Sequence, residues 1–115
     1  ILFNFSVNTS GGGMYHANKF LNEIYNYIKK EDSIVIINDK ISLKIEGVKI
    51  YVVKSPAKSL KSRNIIKNLV IKYNVDLVYT MAGPAYINFN CLHVMGISNA
   101  WLLTKNLKLL LRRER

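Results

Sequence analysis

A single cysteine in 115 residues excludes an internal disulfide and a zinc site built on thiolates, and it fits a reducing compartment. Acidic residues number only 7. None cluster at the end of the opening strand, which argues against the phosphoacceptor aspartate of a response-regulator-like domain. No apolar run approaches the roughly 18 residues needed to span a bilayer, and the first residues lack the basic start and apolar stretch of a secretory signal. Internal repeats and low-complexity tracts are absent. So are the two common phosphate-loop templates: there is no Gly-x-Gly-x-x-Gly, and no Lys-Ser/Thr pair closes a Walker loop. Without a recognisable helix-turn-helix or aromatic-rich single-strand platforms, nucleic acid is not an expected partner.

Half of the chain (50%) is hydrophobic, which is enough apolar material for a packed core and excludes intrinsic disorder. Lys and Arg number 17, giving a formal net charge of +10. A surface this basic attracts anions: nucleic acid, anionic lipid or phosphorylated small molecules. The charges are dispersed over Lys29-Lys30, Lys58 with Lys61 and Arg63, and Arg112-Arg113. Solvated helix faces account for them by default. A basic surface beside a bilayer fits equally, each Lys or Arg near anionic lipid contributing about 1 kcal/mol. The expected location is the cytoplasm, or at most the inner face of its membrane as a peripheral protein.

The hydrophobic pattern alternates between two periods. Ile1, Phe3, Phe5 and Val7 share one face of an extended segment, so residues 1–7 read as a strand. Asn8 to Gly13 reads as a glycine-rich turn. Ala17, Phe20, Leu21, Ile24, Tyr25 and Ile28 then recur at helical spacing, which predicts a helix over 14–30. Residues 33–37 form a β-branched run typical of a strand buried on both faces. Ile41, Leu43 and Ile45 alternate as a short edge strand or hairpin, followed by a sheet strand at 48–53. Pro56 and Ser59 punctuate the chain before Ile65, Ile66, Leu69, Val70 and Tyr73 mark a second helix. Residues 75–81 and 92–98 read as further strands. Strands alternating with helices at these lengths predict an α/β fold, a Rossmann-like parallel sheet with helices on both faces. The tail 101–115 reads as a basic helix with no further strand beneath it. With no initiator Met at Ile1, the chain is expected to be one domain, a fragment of a longer protein.

The sharpest local feature is strand, Ser10-Gly11-Gly12-Gly13, helix. Glycine lets backbone amides face a ligand without side-chain hindrance, and a helix start adds about half a positive charge. The stretch is either a tight turn without a ligand or an anion site at the carboxyl end of the first strand, where open α/β sheets place their crevice. His16 follows near the first helical turn, as a surface histidine or as a neutral imidazole facing that crevice. His93 lies in the apolar run Cys91-Leu-His-Val-Met-Gly96, as a satisfied core histidine or as a strand-end group reaching the ligand. Gly83-Pro84 ends a strand and would line the same cleft with backbone and with Tyr86. Cys91 reads as a small buried hydrophobe. Two histidines far apart, with no carboxylate near, make no metal site.

Taken together, Ser10-Gly-Gly-Gly-Met-Tyr-His16, Tyr79-Thr-Met-Ala-Gly-Pro-Ala-Tyr86, Leu92-His-Val-Met-Gly-Ile-Ser98 and Trp101 resemble the amino-terminal domain of bacterial group 1 (family four) glycosyltransferases. In that GT-B fold two Rossmann-like domains face each other across a cleft. The resemblance spans nearly the whole chain but only the first half of such an enzyme. It implies sugar transfer from a nucleotide-sugar donor to a glycan or lipid-linked acceptor in cell-surface polysaccharide synthesis, with retained configuration and no cofactor or obligatory metal. This domain would receive the acceptor and a missing carboxyl-terminal domain most of the donor. Gly11, Gly12 and Gly13 would approach donor diphosphate or acceptor, with His16, Gly83, Tyr86 and His93 lining the cleft. No catalytic residue is assigned, because the family's acidic motif belongs to the other half. The alternative is a stand-alone nucleotide- or flavin-binding module of flavodoxin-like type. Exposed cleft surface would also favour pairing between copies.

Overall fold

The computed structural model describes residues 1–7, 11–40, 45–81, 86–96 and 105, with the backbone alone for 11–14 and 16. The described chain runs β1 (Leu2–Phe5), α1 (Gly11–Ile24), a 3-10 turn (Lys30–Asp32), β2 (Ile34–Asn38), β3 (Lys49–Val53), α2 (Leu60–Lys72), β4 (Leu77–Thr80) and β5 (Leu92–Met95). The strands form one five-stranded sheet in the order β3-β2-β1-β4-β5, and every neighbouring pair is parallel. The expected α/β architecture is the one observed.

Strand alternation divides the core between the two faces of the sheet. On one face Phe3, Phe5, Val35, Ile37, Leu77 and Tyr79 pack with Ala17, Phe20, Leu21 and Ile24 of α1. On the other, Leu2, Ile36, Val53 and Val78 pack with Ile66 and Leu69 of α2 and with Ile87. Among the described residues α1 covers one face and α2 the other. Both faces of β1, β2 and β4 are buried, which is why these segments read as near-continuous apolar runs.

The first helix differs from its sequence reading at both ends. Gly11, Gly12 and Gly13 do not form the preceding loop; they are the first residues of α1. Glycine is about 1 kcal/mol poorer than alanine inside a helix, and the buried stripe of Ala17, Phe20, Leu21 and Ile24 carries the helix through it. The helix stops at Ile24 rather than at residue 30. Tyr27 N and Ile28 N both donate to Ile24 O (2.9 and 3.1 Å) and Asn26 N donates to Glu23 O (3.1 Å), so the last turn tightens and unwinds. Ile28 kept the helical spacing because it packs on the same core from this turn. Ser33 Oγ donates to Lys30 O at 2.9 Å and Tyr25 OH lies 2.8 Å from Ser33 Oγ, which fastens the turn to the start of β2.

Of the expected edge strand before β3, Ile41 and Leu43 lie outside the described residues, and Ile45 is not in a strand. The backbone turns at Gly47 with φ of +81°, a conformation that disfavours side chains. The second helix begins at its Ser59 cap, whose side chain accepts from Ser62 N at 3.1 Å.

Candidate functional site

The sheet order reverses between β1 and β4: the chain runs from β1 outward through β2 to β3 on one side, and from β4 to β5 on the other. In open α/β sheets, ligands bind outside the carboxyl ends of the strands at such a switch point. At that end of β2, β1 and β4, the apolar pattern breaks on the α2 face. Asn38, Asn4 and Thr80 stand there in place of aliphatic side chains, and with Ser6 just past β1 all four are at most 1% exposed.

Buried polar groups need partners, and these find them in one another. Lys40 N donates to Asn38 Oδ1 (3.0 Å) and Asn38 Nδ2 to Ser6 O (2.8 Å). Asn4 Oδ1 accepts from Ser6 N (3.1 Å) and Ser6 Oγ (2.6 Å), while Asn4 Nδ2 donates to Thr80 Oγ1 (3.3 Å). Thr80 Oγ1 lies 2.7 Å from His93 Nε2. A continuous hydrogen-bonded belt thus crosses β2, β1, β4 and β5.

His93 is the second residue of β5, near the amino-terminal end of that strand. Its ring reaches the last residue of β4, and Phe89 meets it edge-on with ring centroids 4.8 Å apart. Burial pushes the imidazole below its ordinary pKa, which favours the neutral form. Tyr86 is exposed, with φ of +62°. The Arg63 guanidinium lies 5.5 Å from its ring centroid and is itself held by Pro56 O, 2.6 Å from Nε. Tyr86 and Phe89 belong to the same connection between β4 and β5, which carries an exposed aromatic ring beside a held cation.

Gly11, Gly12 and Gly13 open α1 directly after the carboxyl end of β1. Amides of a first helical turn have no partner inside the helix and carry its positive pole. The side chain of His16 and the whole of Gly83 lie outside the described residues. Sequence reading missed Asn4, Ser6, Asn38, Thr80 and the contact made by Arg63. The signal was available for three of them: each is a lone polar residue toward the carboxyl end of an apolar strand.

A groove of about 490 Å³ opens at the opposite, amino edge of the sheet, lined by Glu31, Asp32, Lys49, Tyr73, Asn74 and Asp76 among others. That edge is not where this architecture takes its ligands. Cys91 is half-buried against the α2-side core, and burial raises its thiol pKa, so its thiolate is disfavoured. Among the described residues no three His, Cys, Asp or Glu side chains gather to hold a metal, and no helix is long and apolar enough to cross a membrane. No protein-family model, curated protein or solved structure matches the chain.

Proposed function

We propose that this chain is the acceptor-side domain of a retaining glycosyltransferase, which moves a sugar from a nucleotide-sugar donor to a glycan or lipid-linked acceptor. The observation that carries the reading is the belt from Asn4 through Thr80 to His93 at the switch point, together with the glycine start of α1 on the same edge. A core made only for stability would fill those strand ends with aliphatic side chains; this one carries fixed polar groups at the switch point, the edge at which open α/β sheets take their ligands. The motif likeness of residues 10–16, 79–86 and 92–98 supplies the reaction class.

The chemistry follows from these groups. Departure of a nucleoside diphosphate builds negative charge on phosphate oxygens, and preorganised amides at a helix start stabilise that charge without reorganising water. His93, the half-buried end of the polar belt, and Tyr86 would orient acceptor hydroxyls by hydrogen bonding and ring contact, with the buried belt holding His93 in place. A second Rossmann-like domain closing over the carboxyl edge would exclude water from the reacting carbon. The net charge of +10 suits an acceptor displayed at an anionic membrane surface.

The test is release of nucleoside diphosphate from nucleotide sugars by the intact gene product in the presence of membrane-extracted glycan acceptors. Acceptor-dependent release supports the reading, and none across uridine-, guanosine- and cytidine-linked sugars overturns it. A stand-alone nucleotide-binding module is the second reading. Flavodoxin-like sheets run 2-1-3-4-5, whereas this one runs β3-β2-β1-β4-β5, so this second reading keeps the nucleotide and loses the flavodoxin topology. It predicts that the 115-residue chain binds nucleotide with no second domain.

A further inference from the structure

The donors in the buried belt can be assigned one after another. Among the described residues Ser6 N–H donates to Asn4 Oδ1 alone, at 3.1 Å, so the amide of Asn4 is oriented with its Nδ2 toward Thr80. Nδ2 has hydrogens and no lone pair to offer, so Thr80 Oγ1 accepts from it. The single hydroxyl hydrogen of Thr80 is then free to donate, and the remaining partner among the described residues is His93 Nε2 at 2.7 Å. If Nε2 carried a hydrogen instead, Thr80 Oγ1 would accept twice and its own hydrogen would have no partner among the described residues, in a residue that is 0% exposed.

We propose that Asn4 and Thr80 hold His93 in one tautomer, with Nε2 bare and occupied by the Thr80 hydroxyl, and with Nδ1–H presented as a donor to an acceptor oxygen of the crevice ligand. Nδ1 has no hydrogen-bond partner among the described residues, and His93 is only half-buried. The ring is held by Thr80 at Nε2 and by Phe89 at its side, 4.8 Å between centroids. Depression of the imidazole pKa by burial acts in the same sense, because it keeps the ring neutral. Asn4 and Thr80 are positioning residues in this scheme, acting through the ring. His93 would hydrogen-bond an oxygen, not take a proton through Nε2. The oxygen belongs to a phosphate or to a sugar hydroxyl, which offer the same acceptor chemistry.

The ligand part rests on the crevice assigned above; the tautomer does not, so the two fail separately. The experiment is ¹⁵N NMR of the intact protein labelled at histidine, with the His93 signals identified by their loss in His93→Gln. At neutral pH the proposal expects an unprotonated Nε2 and a protonated Nδ1. It expects Thr80→Ser to keep that pattern and Thr80→Val to lose it. A protonated Nε2 in the unaltered protein overturns the proposal, as does an unchanged pattern in Thr80→Val. If Thr80→Val does not fold, the unaltered spectrum decides alone. Inorganic pyrophosphate and methyl glucoside are then added separately. A shifted Nδ1 signal with one of them supports the donor role and identifies the oxygen's source, and no shift with either overturns that role.

Discussion

Asn4 Nδ2 donates to Thr80 Oγ1 at 3.3 Å across the seam where β1 meets β4. Both residues are fully buried, and the same Asn4 side chain satisfies the backbone and hydroxyl of Ser6. Asn4→Ala leaves several enclosed groups without partners, each costing about 1–3 kcal/mol. The expected loss in urea unfolding is roughly 2–4 kcal/mol; a loss below half a kcal/mol would show that water replaces the amide freely and that the belt is not dry.

Phe20 stacks on Tyr79 with ring centroids 4.7 Å apart and planes 9° from parallel, and it is 1% exposed. Phe20→Ala removes the ring from the α1-side core at a cost of about 3–5 kcal/mol. Against a domain stability of about 5–15 kcal/mol, the variant should unfold at a markedly lower urea midpoint. A shift of a few tenths of a kcal/mol would mean that the core collapses to fill the gap.

The Tyr79 hydroxyl is enclosed without a partner among the described residues, and burial pushes its pKa up to about 12. Tyr79→Phe should therefore be neutral or stabilising by up to about 1 kcal/mol. A pH series provides the second check. The native state holds the phenol proton that the unfolded chain releases near pH 10, so stability falls as pH rises from about 10 to 12. Tyr79→Phe should flatten that alkaline fall; an identical fall in both proteins would place its origin elsewhere.

These residues also show how far the sequence could be read. Phe3, Phe5, Val35, Ile37 and Tyr79 declare buried strands because a doubly covered parallel sheet demands apolar side chains on both faces, and that demand is local. The start of α1 was not legible, because glycine chemistry favours a turn and only packing by Ala17 and Phe20 draws Gly11–Gly13 into the helix. Its end was hidden by Ile28, which touches the same core from a turn. His93 stood out as a lone polar residue, but its partner Thr80 comes from another strand, and only the register of β4 with β5 brings them together. The belt is a product of topology, visible in sequence only as isolated polar letters at strand ends.

Burial holds the His93 imidazole below its ordinary pKa. The native state thus binds fewer protons than the unfolded chain once pH drops below about 6.5, and stability declines as pH falls through that value toward the native pKa. His93→Gln should lessen the decline between neutral pH and mild acid, measured by denaturant midpoints. An equally steep decline in the variant would assign it to other groups.

The central claim is that ligand enters at the carboxyl edge, between the start of α1 and the end of the polar belt. Amide chemical-shift mapping of the intact protein on addition of uridine diphosphate tests it most directly. The account predicts that the largest changes fall on Gly11, Gly12, Gly13, Thr80 and His93. Changes centred instead on Glu31, Asp32, Asn74 and Asp76, around the groove of the opposite edge, would contradict it.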